Sequence, residues 1–171
     1  MGQLFLGPCP RSPPFVENLD IEKYSGNWYV VAQSLYHPLK ASDCEKVTYS
    51  VINERLSANF SFMENDANRK NYRNAVLIRE PRAQSGNLKL KFEDFPRTYQ
   101  FRVLKTNYTD VAVEYTCLSG VFNYTASVTV LHRRAPGNLG DLNAALHQLK
   151  LTSDVAPHFR KNMRLINQSK C

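Results

Sequence analysis

No apolar run in this chain approaches the roughly 18 residues that a membrane-spanning helix needs, so no helical membrane span is expected. There is no C-x-x-C pair, and with it goes the usual zinc or redox spacing. No His, Asp or Glu pair falls at ligand spacing on one face, so no metal is expected. No Ser-His-Asp arrangement is evident, and the chain is not expected to be an enzyme. Internal repeats and low-complexity tracts are also missing. Acidic residues are the minority, 15 Asp and Glu against 22 Lys and Arg, which leaves a net charge of +7. That excess could suit nucleic acid, an anionic surface or an anionic small molecule. It is scattered, however, and its densest cluster is only Arg69, Lys70 and Arg73. A nucleic-acid binder gathers its cations on one element with interleaved aromatics, so no nucleic-acid partner is expected. Residues 1–8 carry neither a basic n-region nor a long apolar core, and the expectation is a mature chain with Met1 added as initiator.

What is present fits one domain, since 171 residues can bury a core or close a barrel. The four cysteines, Cys9, Cys44, Cys117 and Cys171, are even in number and dispersed, which reads as two disulfides. N-x-S/T sequons begin at Asn59, Asn107, Asn123 and Asn167. Paired cysteines and four sequons together predict a secreted, extracellular glycoprotein.

Residues 1–25 form a proline-rich lead-in that ends in a short helical turn over 18–24, capped by Asn18. Period-two alternation then predicts eight strands within 26–134: 28–34, 47–51, 56–62, 72–79, 88–92, 99–103, 111–117 and 126–131. Apolar residues at helical spacing predict one amphipathic helix over 138–151, packed on the outside. A tail over 156–171 ends on Cys171, with a short strand near 163–166. Eight meander strands could form a sandwich or a barrel, and closure removes exposed edges. The expected fold is therefore all-β, an eight-stranded antiparallel up-and-down barrel whose interior can hold one small ligand.

Gly26-Asn27-Trp28 at the head of the first strand resembles the G-x-W signature of lipocalins. Thr106-Asn107-Tyr108, between the sixth and seventh strands, stands where lipocalins carry T-D-Y, and Arg133 ends the eighth strand where they carry a basic residue. The order of these motifs and the cysteine layout are similar to the insecticyanin, bilin-binding protein and apolipoprotein D branch. That resemblance implies disulfides joining Cys9 to Cys117 and Cys44 to Cys171. It implies a structural unit of Gly26, Trp28 and Arg133 at the closed end, with the guanidinium over the indole. It also implies a carrier, with a non-covalently held linear tetrapyrrole such as biliverdin favoured. An apolipoprotein-D-like fatty acid, sterol, retinoid or carotenoid is the alternative. This sequence departs from the pattern at Asn107, where the family's Asp is replaced and a sequon arises.

In such a barrel the odd-numbered loops, 35–43, 65–71, 94–97 and 119–124, surround the mouth. The apolar residues assigned to the interior are Val30, Ala32, Val47, Tyr49, Ala58, Phe60, Phe62, Leu90, Phe92, Tyr99, Phe101, Val113, Tyr115 and Val128. Aromatic side chains dominate, which suits a flat conjugated ligand. Arg69, Arg73 and Arg97 near the mouth could meet carboxylates, so the ligand is expected to be anionic. The interior set contains no acid, which speaks against a cationic ligand. His37 is the one candidate for a haem ligand, and a homo-oligomer stays open.

Overall fold

The computed structural model describes residues 5–11, 15–34, 43–64, 69–79, 85–135, 163–169 and 171. In chain order its elements are β1 (Phe5–Leu6), α1 (Ile21–Tyr24), β2 (Gly26–Ser34), β3 (Lys46–Ile52), β4 (Arg55–Glu64) and β5 (Arg69–Arg79). They continue with β6 (Asn87–Phe92), β7 (Tyr99–Thr106), β8 (Val111–Ser119), β9 (Asn123–His132) and β10 (Met163–Leu165). Each strand from β2 to β9 pairs with the next, and β9 pairs back onto β2 to close an eight-stranded antiparallel barrel. Closure satisfies the edges that an open sheet would leave as unpaired N–H and C=O groups. β1 extends the mouth end of β9, and β10 pairs with the upper half of β2. The expected helix over 138–151, the mouth segments 35–42 and 65–68, most of the tail, and His37, His147 and His158 lie outside the described residues.

The closed end is built from α1 and the first turn of β2. Asp20, rather than Asn18, caps α1: its Oδ1 accepts from the Lys23 N–H at 3.1 Å, which satisfies one of the orphan donors of the first turn. Asn18 offers only its backbone carbonyl, to the Tyr108 hydroxyl. Trp28 is fully buried and donates its indole N–H to the Tyr24 carbonyl at 2.9 Å. Arg133 lies over the indole with its guanidinium carbon 3.7 Å from the ring centroid. The same guanidinium donates to the carbonyls of Lys23, Tyr24, Ser25, Asn27 and Tyr108, tying the helix end to the β7–β8 turn. Gly26 has φ +98°, a left-handed conformation that favours glycine. A Cβ there would also stand 3.2 Å from Arg133 Nη1, so the G-x-W glycine makes room for the cation.

Two apolar clusters occupy opposite faces of the sheet. One fills the interior and contains Trp28, Val30, Tyr49, Phe60, Phe92 and Leu131. The other lies outside β2, β8 and β9 and contains Cys9, Val31, Ala32, Val113, Tyr115, Cys117, Val128 and Val130. A β-bulge in β2 decides which residues face which way: Val30 pairs with Leu131, but Ala32 pairs with Val130 and Gln33 with Thr129. The extra residue reverses the alternation, turning Ala32 outward and Gln33 inward.

Candidate functional site

The interior has two unlike walls. Along β3 to β7 it is apolar and aromatic: Val47, Tyr49, Ala58, Phe60, Leu90, Phe92 and Phe101 are buried in one cluster, with Phe62, Phe95 and Tyr99 packed against it. Phe92 is the hub of the rings, 5.6 Å from Phe60 and 5.8 Å edge-on from Tyr99, which in turn lies 5.6 Å from Phe95 in the β6–β7 loop. On β3, β4 and β6 the outer faces are largely polar, so period two places their apolar side chains inward, whereas β5 carries Tyr72, Val76 and Ile78 on its outer face and β7 buries Leu104 there.

The opposite wall is polar. Ala112 pairs with Leu131 near the closed end, and above them come Glu114 with Thr129, Thr116 with Ser127, and Leu118 with Thr125. Thr129 continues the row to Gln33, and Gln33 to Arg164 of β10. Glu114 Oε1 accepts from both the Tyr24 and the Tyr49 hydroxyls at 2.6 Å. Gln33 Nε2 donates to Glu45 Oε1 at 3.0 Å. Burial raises the Glu114 carboxyl to about 7 against the pull of both tyrosine hydroxyls. Burial likewise raises Glu45 to about 7, opposed by the Gln33 hydrogen bond and the Arg164 charge. The two tyrosine hydroxyls are pushed well above their ordinary value by burial and by the Glu114 charge.

Four residues assigned to the interior from sequence do not belong there. Val113, Tyr115 and Val128 pack outside with Cys9 and Cys117, and Ala32 joins them through the β2 bulge. Period-two counting failed on β8 and β9 because their outer face is covered by Cys9, Met163 and Tyr124 and is as apolar as a core. A usable signal was present in Cys117. If Cys117 bonds a lead-in that runs outside the barrel, it faces out, and so do Tyr115 and Val113 two and four residues earlier. The same count turns Glu114 and Thr116 inward, which overturns the expectation of an interior without acid.

The basic rim is engaged within the protein. Arg73 faces inward beside Phe60, holds Asp94 through both carboxylate oxygens, and lies 4.0 Å over the Phe92 ring. Its guanidinium holds the Asp94 carboxyl below the ordinary value. Arg97 donates to the Ser119 carbonyl. Arg69 begins β5, opposite Glu64, and is exposed.

Disulfides join Cys9 to Cys117 and Cys44 to Cys171. The second anchors the tail across the seam where β2 and β3 part. There Gln168 Nε2 donates to the carbonyls of Val30 and Glu45, and Ile166 donates its N–H to Val31. Of the sequon asparagines, Asn107 and Asn167 are exposed, while Asn59 and Asn123 are half-buried. No group of three or more His, Cys, Asp or Glu side chains among the described residues could hold a metal ion.

The geometry agrees with known proteins. Bovine apolipoprotein D is 33% identical over 127 residues, covering 68% of this chain and 61% of that protein. Mouse apolipoprotein D is 29% identical over the same length. The chain thus spans less than two thirds of these relatives. Insecticyanin from the tobacco hornworm, Manduca sexta, superposes with a TM-score of 0.79 at 19% identity, covering 99% of this chain and 91% of that one. Lobster apocrustacyanin A1 gives 0.64 at 17% identity, covering 94% and 93%. Both show the same fold. The family described as Lipocalin / cytosolic fatty-acid binding protein matches residues 25–151, and the chain belongs to it.

Proposed function

We propose that this protein is a non-enzymatic carrier that holds one small hydrophobic ligand inside the barrel. The observation that carries the reading is the ring cluster of Phe60, Phe92, Tyr99 and Phe95, which runs along the inner wall toward the β6–β7 mouth loop. Stacked and edge-on rings offer a flat apolar surface to a conjugated molecule. The two disulfides suit a secreted protein in an oxidising compartment. A linear tetrapyrrole of the biliverdin kind, held without a covalent bond, is the first candidate. Mixing the protein with biliverdin should give induced circular dichroism in the visible region and quench Trp28 with a dissociation constant below about 1 μM. If neither biliverdin, nor retinol, nor a fatty acid, nor a sterol binds, the carrier reading fails.

A second reading has its own support. Arg73 and Arg97 already have partners inside the protein, so a carboxylate at the rim would compete with Asp94. That favours a neutral fatty alcohol, sterol, retinoid or carotenoid over a dianion. Saturating retinol binding with no biliverdin response would select it.

A further inference from the structure

The polar wall is poorly matched to a purely apolar cargo. Gln33 and Glu45 are both almost wholly buried, yet Gln33 Oε1 and Glu45 Oε2 have no hydrogen-bond partner among the described residues. A buried acceptor left unpaired costs about 1–3 kcal/mol, more for a charged group, so such atoms call for a partner. They are adjacent, because Gln33 Nε2 is bonded to the other oxygen of the same carboxyl. They also lie on the inner face: Gln33 is in the row with Thr129 and Glu114, and Glu45 is two residues mouthward of interior Val47.

We propose that Gln33, Glu45 and Glu114 form an accepting subsite that takes the protonated nitrogen of a ligand, an amine or a ring imine, while its apolar body lies against the aromatic wall. This rests on the carrier reading and specifies the ligand class of that same site. An ammonium brings donors and no acceptor, which complements two open acceptors. Its charge also offsets the burial of two carboxyls, beside which Arg164 supplies the one guanidinium among the described residues. A neutral hydroxyl brings one donor and no charge. A carboxylate would face Glu45 and Glu114, and among the described residues Arg164 is the one cation beside them to hold it.

The groups facing Glu45 among the described residues are Gln33 from β2, Arg164 from β10 and Glu114 from β8, with Tyr24 and Tyr49 held on Glu114. With its carboxyl raised by burial, Glu45 is partly protonated in slightly acidic solution, and a cation seated on it must displace that proton.

The test uses three probes with one apolar body: naphthylethylamine, naphthylethanol and naphthylacetic acid, titrated calorimetrically into the intact, oxidised chain. The amine should bind at least about tenfold tighter than the alcohol and the acid, and Glu45→Gln should shrink the amine's advantage over the alcohol to about twofold or less. In the native protein near pH 6, amine binding should release protons, read from heats in buffers of different ionisation enthalpy. This second readout decides the matter if Glu45→Gln fails to fold. Equal affinities for amine and alcohol, tighter binding of the acid, or no proton release overturns the proposal. If the alcohol still binds, only the subsite proposal falls. If none of the three probes binds, the subsite proposal falls, and if none of the carrier ligands above binds either, the carrier reading falls with it.

Discussion

Arg133 stands over Trp28 with its guanidinium carbon 3.7 Å from the indole centroid, while its nitrogens collect five backbone carbonyls around the closed end. Trp28→Ala should therefore cost about 3–5 kcal/mol as the loss of a large buried aromatic. Arg133→Ala should cost less, about 1–3 kcal/mol. Arg133→Lys should recover little, because one ammonium cannot reproduce a planar fork over a ring. Chemical denaturation measures all three, and a Trp28→Ala protein of unchanged stability would show that the indole does not hold the closed end together.

The interior carboxyls make stability fall as the solution becomes less acid. Glu45 and Glu114 have folded values near 7 against an ordinary 4.5, so the folded state holds protons that the unfolded chain has lost. Their favourable contribution is complete below the ordinary value and disappears as pH rises to about 7, at most about 3 kcal/mol for each group. Asp94, held low by Arg73, acts in the opposite sense and only below its ordinary value of 3.8. The urea midpoint should be higher at about pH 5 than at about pH 8, and Glu114→Gln should shrink the difference. A native midpoint that rises over this range would contradict the burial of both acids.

Each disulfide closes a long loop, with sequence separations of 108 and 127. Chain entropy sets an upper figure of about 4–5 kcal/mol for each. Replacing Cys44 and Cys171 by Ala should loosen the tail from the β2–β3 seam, and hydrogen exchange at the Ile166 amide should accelerate more than at the Tyr49 amide. Equal protection at both amides would show that Gln168 and β10 hold the tail unaided.

Asn107, which stands where the resembled lipocalin pattern carries Asp, holds its turn with a neutral side chain. Its Oδ1 accepts from the Asp110 and Val111 N–H groups, both at 2.9 Å, and closes the β7–β8 turn. Asn107→Asp should change stability little, and Asn107→Ala should lose about 1 kcal/mol. Thermal unfolding of the two variants separates the outcomes.

Position relative to the wall predicts which substitutions touch binding. Phe60→Ala and Phe92→Ala should weaken a bound conjugated ligand about tenfold or more, whereas Val113→Ala and Val128→Ala should lower stability and leave affinity unchanged. Ligand titration against each variant's own folded fraction makes the comparison. Loss of affinity in the Val113 or Val128 variant would mean that the outer cluster communicates with the site.

Alternating residues and turn spacing determined the barrel, because an exposed, polar outer face leaves period two visible in β3, β4 and β6. G-x-W and Arg133 marked the closed end for an equally local reason: a left-handed glycine beside a cation and an indole is a constraint carried by a few residues. Beyond the facing that Cys117 implies for β8, tertiary structure decided the character of the other wall. On β2 a single bulge reversed the facing of Ala32 and Gln33, and nothing in the local residue types signals it. On β8 and β9 the outer face is packed under other parts of the chain, so hydrophobicity no longer distinguishes inside from outside. Glu45 and Glu114 look like ordinary surface acids in sequence; they became buried acceptors only when β10, the tail and α1 closed over them, since burial depends on cover that arrives from distant segments.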